Sequence, residues 1–365
     1  MHTCPAVLAR LLFPHLWSRC ISHRWAPPLL ALGWAASTFI TYISPPNVDP
    51  WTRILAVSLA SITGAAGDVF WLGRLRYYGK PGLTGWGIGT GLGGVTCAVL
   101  PYTLTVYMGK FLRHGLGYAW YLVPLMLASQ YLVLPSPPST DEPRRGRSSS
   151  LDEDIELDDE VSTRLLDQSA ASKSRRGSLG HALGVRELGK RLMRPYILPL
   201  ALGFAGSALV FPGFARATRV SSDFETYATF IAGYGWVFQM GNLITRSSLF
   251  STQPKYWWFW PVMLAIGTSL LALDAFVPFM AGSMFMFGVV AMAGMAAGWI
   301  YMAIYTAALE DREFESGAHR EFGLGLIGAG ESIGVILGGL ASVVLEASLC
   351  GGKVDGLERW CDTTR

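Results

Sequence analysis

The chain has 365 residues, of which 51% are hydrophobic and only 15% are charged, and its formal net charge is +3. A soluble protein is normally about a quarter charged, so this composition excludes an ordinary soluble enzyme. Five scattered cysteines without ligand spacing, and basic residues that flank apolar runs, predict no disulfide framework, no metal site, no cofactor and no nucleic-acid partner.

Apolar runs long enough to approach or cross a bilayer alternate with short polar connections along most of the chain. Four such runs come first, at 28–43, 54–72, 84–108 and 118–134. Five follow later, at 195–214, 224–245, 256–273, 278–309 and 322–349. The predicted fold is therefore an all-α polytopic membrane protein with about nine transmembrane helices.

The segment between the two groups of runs, residues 136–194, differs sharply in composition. It holds 22 of the 55 formally charged residues and is rich in Ser, Pro and Gly. Such a segment buries too little apolar surface to fold, so we predict a disordered loop, placed in the cytosol by the distribution of Lys and Arg. The predicted domains are a leader (1–27), two transmembrane halves (28–135 and 195–349) and a tail (350–365). Two helical halves joined by a soluble loop is also the plan of major-facilitator transporters.

Two G-x-G-x-x-G motifs, Gly89–Gly94 and Gly323–Gly328, lie inside apolar runs. A dinucleotide site needs a preceding strand and a later ribose-binding acid, and neither is present. Small residues four apart instead let helices approach closely, so we predict helix packing at two stripes. The stripes are Gly85, Gly89 and Gly93, and Gly330, Gly334 and Gly338. Thr90 is a minor candidate for lining a transport path.

Acidic residues within apolar helices are the strongest chemical signal. Asp68 and Glu331 each lie in a predicted span, where a carboxylate at mid-bilayer costs about 2.5–3.5 kcal/mol. Each should therefore face a partner or a watery cavity. The functional interpretation is a proton or substrate-charge site, and the structural alternative is an interhelical hydrogen bond.

A polar stripe occurs in the run 224–245. Gly235, Gln239, Asn242 and Arg246 step by four, three and four residues, which puts them on one helical face. In lipid that face should point into the bundle. Transport-path lining and structural interhelical bonding both explain Gln239 and Asn242, and an interfacial anchor is the alternative for Arg246.

The central loop contains two short signals. Ser178 follows Arg175-Arg176, as in a site for a basophilic kinase, where phosphate would add charge to a flexible segment. Glu160, followed by Leu165 and Leu166, loosely resembles an acidic dileucine sorting signal with one residue too many.

Several blocks of the chain together resemble the battenin family of lysosomal and vacuolar membrane proteins. The matching blocks are Val57–Ser61 with Gly67–Val69, Trp86–Gly94, Leu127–Ser129, Tyr234, Gln239–Gly241, Arg246–Leu249, Ala308–Glu310, His319–Phe322 and Glu331. They occur in order from about residue 26 to Cys350. The family's first two or three spans are absent from this sequence, so the resemblance implies an N-terminally shortened member.

The resemblance implies a major-facilitator-like fold, a vacuolar or lysosomal membrane and a role in vacuolar pH homeostasis. It also implies transport of a small molecule, either a basic amino acid such as arginine or a phosphodiester, and it makes sorting adaptors expected partners of the dileucine-like segment.

The resulting hypothesis is a transporter that works by alternating access, and no constellation for an enzyme is present. The predicted path residues are Glu331, Asp68, Gln239, Asn242, Tyr234 and Thr90. The predicted gate or latch residues are Arg246, Glu310, His319, Arg320 and Glu321. The alternative is a non-transporting scaffold that regulates trafficking or the proton pump through its loop.

Overall fold

The computed structural model describes residues 3–20, 25–44, 50–109, 119–134, 189–218, 223–247, 258–277, 279–280, 282–311 and 317–351. Helices and their connecting turns make up this part of the chain, which contains no β-strand. Six helices are long and apolar enough to cross a membrane. The prediction of a helical multi-pass membrane protein is therefore confirmed, while the number of nine spans and the major-facilitator layout stay predictions.

The helices are named here in chain order. They are α1 (Thr3–Cys20), α2 (Ala26–Ile43), α3 (Pro50–Tyr102), α4 (Ala119–Val133), α5 (Gly189–Gly213), α6 (Tyr227–Arg246), α7 (Phe259–Phe276), α8 (Ser283–Glu310) and α9 (Gly317–Gly351). Helices α4 and α5 include wider, π-type turns around α-helical centres at Leu122–Ala128 and Leu198–Ala208. A similar turn, Thr103–Tyr107, follows α3.

Helix α3 contains 53 residues and is interrupted at Gly79, whose φ of 61° lies in the left-handed region. A straight helix of that length would extend roughly 80 Å, far more than a hydrocarbon core of about 30 Å. Glycine adopts the left-handed conformation without the clash that a Cβ causes, so the break falls there. The predicted runs 54–72 and 84–108 lie on the two sides of this break.

Helix α6 packs against α3 and α8. It is not among the six helices apolar enough to span by composition, because polar side chains occupy part of its surface. Its apolar residues Phe230 and Tyr234 are fully buried in a core shared with Val290 and Tyr305 of α8 and Leu200 of α5. The polar side chains of α6 contact both α3 and α8.

Two predicted boundaries differ from the structure. Residues 3–20, predicted as leader, form α1, which packs against α3 and α9. The predicted loop 136–194 overlaps α5, which begins at Gly189. Residues 136–188, the rest of that loop, lie outside the described residues.

The glycine stripe of α9 packs as predicted. A Cβ at Gly330 would lie 2.6 Å from the carbonyl oxygen of Ile197, and Cβ atoms at Gly334 and Gly338 would meet the backbone of α5 at Ala201 and Ala205. The α9 and α5 backbones therefore touch along this stripe, as glycines four residues apart allow.

The predicted packing face of α3 is wrong, and a neighbouring face of the same helix packs instead. No described atom lies within 4 Å of a Cβ built at Gly85, Gly89 or Gly93. The contacts are instead made by Gly87, Gly91 and Gly94, where a Cβ would lie 2.5–2.9 Å from atoms of α6 or α8. Both stripes of this segment carry glycine, so four-residue spacing alone does not distinguish the packed face from its neighbour.

Candidate functional site

A cavity of about 370 Å³ lies where α3, α5, α6, α8 and α9 meet. Its wall combines charged and amide side chains with aromatic rings. The polar lining residues are Asp68, Thr90, Ser207, Gln239, Asn242, Arg246, Tyr301 and Glu331, and the aromatic ones include Trp86, Phe204, Phe211 and Phe238. Helices from before and after the central loop therefore contribute to one polar cavity.

The two acidic side chains of the cavity share one arginine. Arg10 of α1 donates from Nη2 to Oδ2 of Asp68, and its Nη1 lies 3.0 Å from Oε2 of Glu331. The same Nη1 donates to the carbonyl oxygen of Gly328 at 2.6 Å. The Arg10 side chain is 7% exposed, whereas those of Asp68 and Glu331 are 30% and 26% exposed. A guanidinium behind the carboxylates explains how two acids are accommodated inside the bundle, because buried charges need partners.

The depth of this pair follows from helix geometry. Asp68 precedes Arg76 by eight residues, and Glu331 follows Glu321 by ten. Since Arg76 and Glu321 form an ion pair at the Gly79 end of the bundle, the carboxylates lie roughly 12–15 Å inside that end. This is about half of a hydrocarbon core of roughly 30 Å.

Opposite the carboxylates, α6 contributes its polar stripe. Arg246, only 8% exposed, donates from Nη1 to the Thr90 hydroxyl at 2.8 Å, and its guanidinium carbon lies 4.2 Å from the ring centre of Tyr301. The Tyr301 hydroxyl accepts from the Trp86 indole at 2.7 Å. These contacts fix the guanidinium at the cavity wall through a hydrogen bond and a cation–π contact.

Two buried polar atoms of the stripe have no hydrogen-bond partner among the described residues. They are Oδ1 of Asn242 and Nε of Arg246. The Asn242 amide nitrogen donates to Oε1 of Gln239 at 3.2 Å, so the amide dipoles are ordered along the stripe. Both atoms are enclosed by the surrounding helices, and Oδ1 of Asn242 lies against Gly298 of α8.

The formal charges around the cavity sum to zero. Arg10 and Arg246 contribute two positive charges, and Asp68 and Glu331 contribute two negative ones. The acids and Arg246 belong to different helices, α3, α9 and α6. Such a wall can pair with a small molecule that carries a positive group, a negative group or both.

The predicted gate residues lie at the Gly79 end of the bundle, apart from Arg246. Glu321 pairs with Arg76 at 3.2 Å, and Glu310 pairs with Lys80 at 2.5 Å. Arg320 donates from Nη2 to the carbonyl oxygen of Asp311 at 3.0 Å. The two ion pairs connect α3 to α9 and to α8 at this end of the bundle.

The remaining predicted site residues are elsewhere. Tyr234 is not part of the cavity wall, because its ring is fully buried and its hydroxyl donates to the carbonyl oxygen of Val210 at 2.9 Å. His319 lies in α9, and its side chain is outside the described residues. Glu160, Leu165, Leu166 and Ser178 also lie outside the described residues.

Sequence reasoning missed Arg10, although the signal was present. It is a basic residue within the apolar run 6–13, in a chain whose spans carry two acids without a predicted basic partner. Treating residues 1–27 as a leader removed Arg10 from consideration. Trp86 and Tyr301 were also missed as wall residues. The spacing of aromatic residues on a transmembrane helix is the same whether they line a cavity or pack in the core.

Comparison with known proteins finds a family match over most of the chain. Residues 1–352 match the family model described as CLN3 protein. Similar relatives include protein btn-1 of Neurospora crassa, 26% identical over 98% of this chain and 82% of its own length. Protein btn1 of Aspergillus fumigatus is 26% identical over 90% of this chain and 75% of its own length. Battenin of Canis lupus familiaris is 26% identical over 95% of this chain and 75% of its own length. The matched region includes α1 and therefore Arg10, which the sequence blocks had left out.

Proposed function

We propose that this chain, which belongs to the CLN3 protein family, is a transporter of small charged molecules in the vacuolar or lysosomal membrane. One observation carries the proposal: Asp68, Glu331, Asn242 and Arg246, from helices on both sides of the central loop, surround one cavity about halfway through the bundle. Charged groups inside a membrane are costly and commonly mark substrate or ion pathways. Transporters place their sites near the midplane, between the two helical halves.

The charges of the wall favour a basic amino acid such as arginine as the substrate. The carboxylates of Asp68 and Glu331 can pair with a side-chain cation, and Arg246 can pair with an α-carboxylate. A phosphodiester would use Arg246 instead and would leave the carboxylates without a substrate partner. Movement of a basic solute or of protons through these carboxylates would link the protein to vacuolar pH.

Alternating access needs one end of the cavity to open while the other closes. The pairs Arg76–Glu321 and Lys80–Glu310 connect α3 to α9 and α8 at the Gly79 end, and this supports a closed gate there. We assign these pairs to the gate on the side of the central loop, which positive-inside reasoning assigns to the cytosol. Opening would separate α3 from α8 and α9 at that end.

Replacing Glu331 with Gln tests the proposal. The substitution keeps the shape and removes a charge whose hydrogen-bonded interactions are typically worth about 1.5–3 kcal/mol, so uptake of arginine into vacuolar vesicles should fall about tenfold or more. The readouts are radiolabelled arginine uptake, vacuolar basic amino-acid content and luminal pH.

Glu346→Gln is the matched control. Glu346 lies on the same helix but pairs with Arg216 at 3.1 Å, away from the cavity. Uptake should remain normal in this variant. Unchanged uptake and vacuolar pH in E331Q, at equal protein level, would remove the assigned role of Glu331 and the main support for transport.

A further inference from the structure

The position of Arg10 relative to the cavity assigns it a role of its own. Its guanidinium is buried behind the two carboxylates and is not part of the cavity wall, whereas both carboxylates are. Each carboxylate uses one oxygen for Arg10: Oδ2 in Asp68 and Oε2 in Glu331. Oδ1 of Asp68 and Oε1 of Glu331 have no hydrogen bond to any described residue, and neither is a fully buried atom.

The guanidinium is also fixed by a bond to the α9 backbone. Its Nη1 is bonded to the backbone carbonyl of Gly328, one turn before Glu331 on α9. Because the guanidinium is planar and its nitrogens are rigidly spaced, the two carboxylates it holds have a defined separation and orientation. A flexible ammonium at this position would supply the charge but not the geometry.

Other ionisable groups face this cluster from the neighbouring helices. Arg246 of α6 and the hydroxyls of Tyr301 and Tyr305 of α8 all lie close enough to interact with it electrostatically. Apart from Arg10, these groups contribute one further cation and no further anion. The free carboxylate oxygens are therefore the acceptors that this side of the cavity offers.

We propose that Arg10 is a positioning residue that turns Asp68 and Glu331 into a two-point acceptor for a cationic group with two or more N–H donors. It holds one oxygen of each carboxylate from behind and so presents the second oxygen of each to the cavity. A guanidinium or primary ammonium can donate to both oxygens at once, whereas a quaternary ammonium of equal charge has no N–H to donate. This inference rests on the proposed function, because it concerns how the same cavity selects its cation.

The test compares two ligands of equal charge, of which one has three methyl groups in place of the N–H donors on its terminal nitrogen. L-lysine and its side-chain trimethylated form carry the same charge at neutral pH, and only lysine has donors on its terminal nitrogen. Affinities are measured by thermal stabilisation and by equilibrium binding to the full chain in lipid nanodiscs. The wild type should bind lysine about tenfold more tightly than trimethyl-lysine or better.

Arg10→Gln should remove most of this preference. Lysine affinity should fall about tenfold relative to that of trimethyl-lysine, because the lost positive charge affects both cations alike and only lysine uses the oxygen orientation. A purely structural Arg10 would instead lower both affinities together with the fraction of folded protein. Arg53→Gln, which removes an arginine from the first turns of α3, is the control and should keep the preference.

Arg10→Lys keeps the test decisive if R10Q does not fold. It preserves the buried positive charge, so the protein should fold, but it lacks the planar fork and should still reduce the lysine preference. Equal affinities in the wild type, or an unchanged preference in R10K, would overturn the proposal. The binding preference is measured separately from transport. A preference for lysine without arginine uptake would contradict the proposed transport and leave the role of Arg10 intact. Uptake without the preference would contradict the role of Arg10 and leave transport intact.

Discussion

Arg246 shows how single contacts define the cavity wall. Its guanidinium has one hydrogen bond, to Thr90, and one ring contact, to Tyr301, while its Nε has no partner among the described residues. The Thr90 hydroxyl in turn donates to the backbone carbonyl of Trp86 at 2.9 Å. Loss of this hydroxyl would therefore leave a charged donor at the cavity without its fixed acceptor.

Thr90→Val should weaken both folding and ligand binding. Valine has the same shape, so the effect reports the lost hydrogen bond, and we expect about 1 kcal/mol of destabilisation and a several-fold higher KM for arginine uptake. Thr90→Ser, which keeps the hydroxyl, is the matched control. Thermal unfolding in nanodiscs and uptake kinetics provide the two readouts, and identical KM values for the two variants would contradict this role of Thr90.

At the scale of single residues, the sequence predicted the two acidic residues but not Arg10, the basic residue that pairs with them. Asp68 and Glu331 could be found because a carboxylate in an apolar run is costly wherever it points. Gln239, Asn242 and Arg246 could be found because their spacing puts them on one face. The partner of the acids could not be identified in the same way, since pairing of Arg10 with residues 58 and 321 positions later depends on the packing of α1 against α3 and α9.

Among the helices, α9 depends most clearly on small residues. Its glycine stripe touches the α5 backbone, and the carbonyl oxygen of Ala201 occupies the place where a side chain of residue 334 would begin. The same contact brings Glu331, one turn earlier, against the cavity. Helix packing and site geometry are thus coupled along α9.

Gly334→Leu should therefore disrupt the bundle. The new side chain meets backbone, which is unable to swing away, so we expect destabilisation of about 1–3 kcal/mol or more and less folded protein in the membrane. Gly339→Leu is the control on the same helix, since no described atom lies within 4 Å of a Cβ there. Size-exclusion chromatography and thermal unfolding of the two variants measure the difference, and equal behaviour would show that the α5–α9 contact tolerates separation.

The two glycine stripes also show that the residue pattern of one helix does not determine which of its faces packs. Spacing of four predicted close packing on both α3 and α9, and it was correct for Gly330, Gly334 and Gly338. On α3 the face that packs is the neighbouring one, which carries Gly87, Gly91 and Gly94. Contacts with the partner helix decide which of two adjacent glycine-rich faces packs. The periodicity of one sequence does not contain that information.

For the molecule as a whole, ion pairs between the two groups of helices are concentrated toward one end. Within the described ranges, Arg76–Glu321, Lys80–Glu310 and Arg10–Glu331 connect helices before the central loop to helices after it. At the opposite end, Arg216–Glu346 connects the turn that follows α5 to α9, and both lie after the loop. The described ion pairs Arg76–Glu321 and Lys80–Glu310 therefore link the two groups of helices at the Gly79 end.

Glu321→Gln should loosen the closed end. Arg76 and Glu321 are 14% and 24% exposed, so their pair is worth about 1–2 kcal/mol, between the values typical of exposed and buried pairs. Lys80 and Glu310 are 64% and 55% exposed, and such a pair contributes about 0–1 kcal/mol. Glu310→Gln is therefore a matched control at the same end of the bundle.

Accessibility of the cavity measures this difference. A cysteine introduced at Ser207, on the cavity wall, is labelled with a membrane-impermeant thiol reagent added to the cytosolic face of sealed vacuolar vesicles, and labelling without the introduced cysteine is subtracted. If the Gly79 end is the cytosolic gate, a loss of about 1–2 kcal/mol should raise the labelling rate roughly five- to thirtyfold in E321Q. It should change by fivefold at most in E310Q. Equal rates in all three proteins, with uptake intact, would mean that another contact closes this end, and faster labelling from the luminal face alone would reverse the assigned orientation.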